Sequence, residues 1–407
     1  MCTRNALRKS AFKAAQGSAH KESVKRYLAE CPKHDAELSD KIIKGQCVTK
    51  GFICFPLMER GKLRHIKSVH FKERVVQKSL NQNILIDCMM RSNIYDNGAS
   101  QSGKGGAFFH SELTKHLIRH YKRYGSEGYA LIFDFLDFFG SADHKVLKAN
   151  VRRSLDDERV IRLTNEQFIE SYRRYNIRHQ RMPEDEAGIG VGLGSEINQT
   201  LMVTLPNRID HLIKEVYRIK GYDRFMDDGI CIHISKEYLE EVLKGIKKCA
   251  AELGIALNEK KTYIVKLSHG FTICKVKYNY GPNGAIIRRP AHKKVVSERR
   301  KLKRQARMLD EGLLTFTDIR TSYQSWRGGF TVNTKKRKVS HNKIYHNTSL
   351  KAHRSVRQMD KLFDELFIKP FIAGGLSYGP EENGFRGRDQ ELPAVFSCHG
   401  LPVPEAL

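Results

Sequence analysis

The chain of 407 residues is long enough for two or three domains, and its hydrophobic content of 40% is typical of a folded globular protein. Its formal net charge of +27, from 72 basic and 45 acidic residues, indicates a polyanionic partner, of which nucleic acid is the commonest. The sequence has no apolar run of about 18 residues that would span a membrane, and its basic N-terminus lacks the apolar core of a secretory signal. Its nine cysteines show no paired spacing, which predicts a reducing, cytoplasmic location and no zinc site.

Hydrophobic periodicity predicts helices within residues 1–50 and a strand over 51–60. Residues 61–90 are predicted to start extended and to continue as an amphipathic helix. Further along, the sequence predicts a helix over 107–124 ending at Gly125, and over 129–139 a buried strand that runs into a turn. A charged helical region follows to about Arg181, then a helix from about Glu196 to Ile219 and a hairpin at 221–233. The last elements of this region are a helix over 236–253 and a loop and strand over 254–265.

The composition changes near residue 285. Residues 285–360 hold 20 Lys or Arg and 5 Asp or Glu, a net charge of +15, in a largely helical pattern. This bias predicts a separate helical domain that faces a polyanion, although a solvated helix face would also carry charge. The Gly- and Pro-rich residues 372–407 show little periodicity and are predicted to be a loosely ordered tail.

Two adjacent carboxylates, Asp227 and Asp228, lie in the stretch GYDRFMDDGICIH between apolar flanks. A simple turn explains most such pairs, the functional alternative is binding of a divalent cation, and the pair alone does not distinguish the two. A third carboxylate, Asp134, ends the apolar run LIFD, where a buried charge requires either a salt bridge or a metal. On the functional interpretation, the three would form a Mg²⁺ cage of the kind that supports phosphoryl transfer by two metal ions.

Two other segments have a structural and a functional interpretation. The loop GIGVGLGS at 188–195 allows close approach of a ligand to the backbone, or it is a plain helix entry capped by Ser195. The segment 61–77 carries basic residues that are either solvated surface or a clamp for a triphosphate: Lys62, Arg64, Lys67, Lys72 and Arg74.

In chain order, these segments resemble the sequence blocks of the prokaryotic reverse transcriptases, over roughly residues 55–285. The matching stretches are IKSVHFKERVVQ, FDFLDFF, GIGVGLGSEINQ, FMDD in place of the usual Tyr-x-Asp-Asp, LNEKKT, and GFTICKVKY at the primer-grip position; SYQSWRGG suggests that the likeness continues into a thumb. Six blocks in the same order make a chance match improbable.

The resemblance implies a role for each matching position. Asp134, Asp227 and Asp228 would bind two Mg²⁺ ions, with Mn²⁺ as an alternative, and Lys261 would lie near the pyrophosphate as a proton donor. Phe139 would be the steric gate against a ribose 2′-hydroxyl. The remaining substrate-binding positions are Arg64 and Arg74 in the fingers, Leu193, Gly194, Ser195 and Gln199 around the nucleotide and template, and Phe225 beside the aspartates. Asp137 and Asp143 are explained as well by turns or salt bridges.

Four positions depart from the family pattern. Phe225 replaces the usual Tyr, Leu193 stands where retroviral enzymes carry Gln, Asn198 replaces Ser, and Gly192 replaces a common Pro. An apolar residue at the position of Leu193 is common in the enzymes of diversity-generating retroelements, where it accompanies loose copying at adenines. These departures bear on fidelity and fine geometry and leave the carboxylates intact.

The implied fold is α+β, a right-hand polymerase with an antiparallel-sheet palm, N-terminal fingers and a basic α-helical thumb. The implied domains are a helical extension over 1–50, fingers and palm over 51–285, a thumb over 286–371 and the tail over 372–407.

The implied activity is RNA-directed DNA synthesis from dNTPs on a DNA primer or product and an RNA template, with an oligomer or accessory protein as a further option. The setting would be either a diversity-generating retroelement, with a template-repeat RNA, or antiviral defence, with a cognate non-coding RNA. Two alternatives remain open: a template-independent polymerase, and a catalytically silent scaffold that binds RNA.

Overall fold

The structure, a computed structural model, describes residues 1–59, 62–328 and 354–370, so the predicted tail at 372–407 lies outside the described residues. The chain divides into two compact units, and the boundary in the described part falls between Ala291 and His292. No helix in the described ranges is both long enough and apolar enough to cross a membrane.

The first unit combines helices with three antiparallel sheets. Its helices are α1 Arg4–Ala15, α2 Glu22–Ala29, α3 Cys31–Ile43, α4 Phe71–Leu80, α5 Ile86–Met89, α6 Gly106–Tyr124, α7 His144–Ser154, α8 Glu158–Arg162, α9 Glu170–Gln180, α10 Glu196–Thr204, α11 Asn207–His211 and α12 Lys236–Glu252. Short π-helical segments over Asn81–Leu85, Leu163–Ile169 and Leu212–Val216 extend some of them. The expected end of α6 is confirmed, since Gly125 adopts the positive φ of 64° that a non-glycine residue would resist.

The strands are β1 Phe52–Glu59, β2 Lys62–Val69, β3 Tyr129–Asp134, β4 Gly221–Phe225, β5 Asp228–His233, β6 Tyr263–Lys266, β7 Phe271–Ile273, β8 Val276–Tyr280 and β9 Ile286–Pro290. Strands β1 and β2 form a hairpin, and β7, β8 and β9 form a three-stranded sheet. A four-stranded sheet has the order β4-β5-β3-β6, and every neighbouring pair in it is antiparallel. The architecture is therefore mixed helix and antiparallel sheet.

Strand β3 lies inside the four-stranded sheet and is buried from Ala130 to Asp134. It pairs with β5 on one side and with β6 on the other, and the helices α6 and α12 pack against the sheet. Because both faces of β3 are buried, its residues Leu131 to Phe133 are all apolar. Asp134, at the end of the strand, is the first polar residue of the run LIFD.

Two sequence-based predictions differ from the structure, and a third is confirmed. The helix expected from Glu196 to Ile219 is broken after Thr204, because Pro206 has no backbone N–H to donate and its ring clashes with the preceding turn. The expected change from extended to helical structure within 61–90 is confirmed, since β2 ends at Val69 and α4 begins at Phe71. Residues 286–290, expected to begin the basic helical region, form β9, so helices begin only at His292.

The second unit, as far as it is described, contains α13 His292–Asp310, α14 Phe316–Gly328 and α15 Arg354–Phe363, followed by a π-helical segment over Asp364–Ile368. Its core is apolar and includes Leu302, Ile319, Met359 and Phe367. The outer side of α13 exposes four basic residues on two successive helical turns: Arg299, Arg300, Lys303 and Arg304. A helix with one apolar side and one strongly basic side fits a polyanion better than a second protein core.

Candidate active site

Asp134 and Asp228 face each other across the sheet, at the ends of β3 and β5. Met226 and Asp227 form the two-residue turn that joins β4 to β5, and Asp228 is the first residue of β5. Met226 adopts a positive φ of 56° in this turn. The backbone N–H of Phe135 donates to the carbonyl of Asp227 at 3.1 Å, which fixes the turn against the end of β3. Three carboxylates from two neighbouring strand ends therefore share one edge of the sheet.

The side chain of Asp134 is held by the segment that resembles the Leu-Asn-x-x-Lys-Thr block. The Lys261 ammonium donates to both carboxylate oxygens at 2.8 Å, and the Asn258 amide donates to Oδ2 at 3.3 Å. The backbone N–H of Asn258 also donates to the Asp134 carbonyl at 2.7 Å. Sequence reasoning gave Asn258 no role, although it lies within the LNEKKT stretch.

The electrostatics of the cluster reflect burial and mutual repulsion. Burial raises the pKa of Asp228 to about 6, with a further increase from the charges of Asp227 and Asp134. Burial also raises the pKa of Asp227, while the charges of Lys261 and Arg64 oppose that increase. For Lys261, partial burial favours a lower pKa, but the hydrogen bond that it donates to Asp134 and the negative charges of the three aspartates raise the pKa. The site thus concentrates negative charge that a cation would stabilise.

The donor set fits Mg²⁺, because all three groups are carboxylates and Mg²⁺ prefers oxygen ligands with several retained waters. In this structure the carboxylate oxygens of the three aspartates do not all lie within 4.8 Å of one another. Among the described His, Cys, Asp and Glu residues, the only group of three that meets this distance is Asp96, His116 and Asp223. The Lys261 ammonium donates hydrogen bonds to both oxygens of Asp134, so a metal ion would have to displace it from at least one of these oxygens.

A buried ion pair supports the turn from below. Arg224 and Asp210 are fully buried, and the guanidinium donates to both carboxylate oxygens at 2.7 Å. The same guanidinium donates to the Met226 carbonyl at 2.9 Å and the Val203 carbonyl at 2.8 Å. Sequence reasoning missed this pair; the available signal was the adjacent charges of Asp223 and Arg224 inside the short strand β4.

The turn between β7 and β8, in the stretch that resembles the primer grip, reaches the carboxylates. Both of its residues, Cys274 and Lys275, adopt positive φ values of 44° and 69°. The Cys274 thiol lies 3.5 Å from Asp228 Oδ2 and donates to it. Burial and the Asp228 charge raise the pKa of this thiol well above its usual value, so it remains a neutral donor.

The glycine-rich loop packs against the segment that carries Phe139. The backbone N–H of Val191 donates to the Phe139 carbonyl at 2.8 Å. Ser195 begins α10 but does not cap it; its hydroxyl instead donates to Gln77 on α4 at 2.7 Å. Asn198, which departs from the family pattern, donates to the Gly192 carbonyl and to the Tyr172 hydroxyl, both at 2.8 Å. Asn198 is therefore a structural support of the loop.

The structure brings together Asp134, Asp227, Asp228 and Lys261, and Arg64 lies close enough for its charge to lower the pKa of Asp227. The ring of Phe225 packs against Phe109 with centroids 5.8 Å apart.

The other predicted substrate-binding residues lie elsewhere around the sheet. Arg74 donates to Ser68 at 2.9 Å, which ties α4 to the end of β2. Phe139 and Leu193 are half-buried, and Gly194 and Gln199 are exposed.

Two comparisons with known proteins found no match: no family model matches the sequence, and no curated protein is similar to it. Among solved structures, the chain is similar to apo telomerase from Candida tropicalis truncated from the C-terminal domain, with a TM-score of 0.44 and 12% identity over 58% of this chain and 54% of that one. It is also similar to apo telomerase from Candida tropicalis, with a TM-score of 0.42, 12% identity, and 62% and 52% of the two chains covered.

A third similar structure is telomerase from Candida albicans in complex with the TWJ fragment of telomeric RNA. The TM-score is 0.44 and the identity 11%, over 65% of this chain and 51% of that one. The chain spans about half the length of the telomerase chains that it matches.

Proposed function

We propose that the chain is an RNA-directed DNA polymerase, a nucleotidyltransferase that extends a primer 3′-hydroxyl with dNTPs. The observation that carries the proposal is the meeting of Asp134, Asp227 and Asp228 at one edge of an antiparallel sheet. The order of sequence blocks that resemble reverse transcriptases supports it. A purely structural role for the three is a poorer explanation, because burying three like charges side by side destabilises a fold, and of the three only Asp134 is hydrogen-bonded to Lys261.

Each residue of the cluster has a proposed role. Asp134, Asp227 and Asp228 would hold Mg²⁺, or Mn²⁺, which would activate the primer hydroxyl and stabilise the charge on the leaving pyrophosphate. Lys261 would donate a proton to that leaving group, since its side chain is exposed to solvent while its partner Asp134 is buried. Phe139 would limit space beside the sugar, and Arg64 would contact the triphosphate or the template.

The right-hand arrangement is part of the same proposal. The four-stranded sheet would be the palm, β1 and β2 with α4 would belong to the fingers, and the second unit would be the thumb. The exposed basic side of α13 would contact phosphates of the RNA template or its duplex with DNA. The cellular role, in a diversity-generating retroelement or in antiviral defence, would follow from whether near-identical repeats or a structured RNA neighbour the gene.

The test is primer extension on an RNA template with dNTPs and Mg²⁺, comparing the native chain with Asp227→Asn. This change removes one charge and keeps the shape of the side chain. The matched control is Glu259→Gln, an exposed residue in the neighbouring loop. We expect extension by the native chain and the control and none by Asp227→Asn, with RNA binding nearly unchanged in all three.

Two further arms separate the alternatives. Extension without a template would favour a template-independent polymerase, and extension on DNA but not RNA would exclude an RNA-directed enzyme. RNA binding by a folded native chain, with no extension on any template in Mg²⁺ or Mn²⁺ and no difference from Asp227→Asn, would favour the silent scaffold.

A further inference from the structure

A second cluster of ligand-type side chains lies on β4, away from the three palm aspartates. Asp223 belongs to β4, His116 to the middle of α6, and Asp96 to the loop that follows a 3₁₀ turn at Met90–Ser92. One oxygen of each carboxylate and the His116 nitrogen all lie within 4.8 Å of one another. Residues distant in sequence thus converge with the spacing of a metal site.

Hydrogen bonding within the protein does not satisfy this cluster. His116 Nε2 lies 3.2 Å from Asp96 Oδ1 and 3.8 Å from Asp223 Oδ1, so the same nitrogen faces both carboxylates. One N–H can serve only the nearer of them. Both oxygens of Asp223 are buried without a hydrogen-bond partner among the described residues, and the side chain is 0% exposed. A carboxylate in that position is costly unless a cation or a proton accompanies it.

The charges of Lys214 and Arg119 act on Asp223 and favour its charged form, but burial and neighbouring carboxylates outweigh them. Lys214 forms an ion pair with Asp96 Oδ2 at 2.6 Å, which leaves Oδ1 facing the cluster. In the described part of the chain, no Lys or Arg forms an ion pair with Asp223. Burial and the charge of Asp96 raise the pKa of Asp223 well above its usual value.

We propose that Asp96, His116 and Asp223 bind a divalent metal ion, for which Zn²⁺ is the best fit. One imidazole nitrogen and two carboxylate oxygens are ligands that Zn²⁺ accepts at a four-coordinate site, with water in the fourth position. Asp96 and His116 also line a cleft of about 610 Å³ from which that water would enter. The cysteine spacing, which predicts no zinc site, does not bear on a site built from carboxylates and an imidazole.

The ion would act as a structural clamp behind the catalytic hairpin. The loop at Asp96 already pairs with β4, through bonds from Arg224 N–H to the Asp96 carbonyl at 3.3 Å and from Gly98 N–H to the Arg224 carbonyl at 2.9 Å. A metal ion would add α6 to this contact through His116. Because the ion binds the folded chain and not the unfolded one, it would raise the melting temperature.

The test measures Zn²⁺ binding to the full chain by calorimetry in a buffer that contains excess Mg²⁺, with thermal unfolding in parallel. The variant is Asp223→Asn, and the matched control is Asp227→Asn. We expect one Zn²⁺ per chain and a higher melting temperature for the native chain and the control. For Asp223→Asn we expect affinity to fall by at least about 100-fold, since even residues that only orient ligands typically change it 10- to 100-fold.

Cysteines are the main competitors for Zn²⁺, because eight of them are free in the described part of the chain. Co²⁺ distinguishes the two, since thiolate ligands give a sulfur-to-metal charge-transfer band in the near ultraviolet and carboxylates do not. A thiolate band that persists in Asp223→Asn, equal Zn²⁺ affinity in that variant, or no binding to the native chain would each overturn the proposal. Misfolding is recognised separately: without metal, Asp223→Asn should melt no lower than the native chain, because it removes an unpaired buried charge.

Discussion

Arg224 and Asp210 form a buried, two-point ion pair beneath the turn that carries Asp227. Since the guanidinium also donates to the carbonyl of Met226, the pair links the position of the turn to the core of the first unit. This arrangement places a buried, charge-paired support beneath the turn that carries Asp227.

Removing one partner of this pair should destabilise the protein strongly. For Arg224→Met we expect a loss of about 3–5 kcal/mol in the free energy of unfolding, because Asp210 is left as an uncompensated buried charge. Urea unfolding measures this loss. The double change Arg224→Met/Asp210→Leu should recover part of the loss, since it removes both charges. A single change that costs less than about 1 kcal/mol would contradict the assignment.

Protonation of Asp228 should make stability depend on pH. The pKa of this group is about 6 in the folded chain against an ordinary value of 3.8. Between these values the folded chain holds a proton that the unfolded chain has lost, so the contribution of Asp228 to stability decreases as pH rises towards 6. The free energy of unfolding of Asp228→Asn should therefore rise relative to that of the native chain from pH 4 to pH 7, by about 3 kcal/mol at most.

Thermal or urea unfolding at several pH values measures that advantage. Glu73→Gln is a useful comparison, because burial raises the pKa of Glu73 to about 7 at a site remote in sequence. The stability gain of Glu73→Gln over the native chain should appear at higher pH than the gain of Asp228→Asn. An advantage of Asp228→Asn that is constant across the range would show that this carboxyl titrates normally.

The Lys261 ammonium should compete with Mg²⁺ for Asp134. In Lys261→Met the Mg²⁺ concentration for half-maximal extension should fall, because both oxygens of Asp134 become available to the ion. The rate at saturating Mg²⁺ should fall by about 100-fold or more, since a positioned proton donor is lost. Lys261→Arg, which keeps the charge, is the control. An unchanged Mg²⁺ dependence would argue against a metal at Asp134.

Gly192 should be indispensable to the glycine-rich loop for steric reasons. A Cβ at this position would lie 2.8 Å from Lys67 Cβ and 2.9 Å from the Tyr172 ring. We expect Gly192→Ala to destabilise the protein by about 1–3 kcal/mol, as overpacking does elsewhere. Gly188→Ala in the same loop is the matched control, because a Cβ there meets nothing within 4 Å. Equal melting temperatures for the two variants would disprove the close approach.

The basic side of α13 should dominate the salt dependence of RNA binding. Replacing Arg299, Arg300, Lys303 and Arg304 by Gln should reduce the slope of log affinity against log salt by about 3, since each phosphate contact with a single strand contributes about 0.7. The same number of exposed lysines on α12 provides the control: Lys236, Lys244, Lys247 and Lys248. A slope that changes equally in both variants would mean that binding follows net charge alone.

Local sequence was sufficient to predict most elements, because periodicity and the placement of Gly and Pro act over a few residues. The strand that ends at Asp134, the hairpin with Asp227 and the end of α6 at Gly125 all belong to this class. The break at Pro206 was visible in the same way and was overlooked. Strand β9 was not visible, because its alternation in IIRRP is too short to distinguish from the start of a basic helix.

Sequence by itself determined which groups were available: three carboxylates at strand ends or turns, a basic C-terminal region and a glycine-rich loop. Tertiary structure decided which of them meet. Lys261 reaches Asp134 across 127 residues, and Asp96, His116 and Asp223 converge from a loop, a helix and a strand. Such contacts depend on strand register and on which charged groups are buried together. Both are properties of the packed chain that no local sequence pattern encodes.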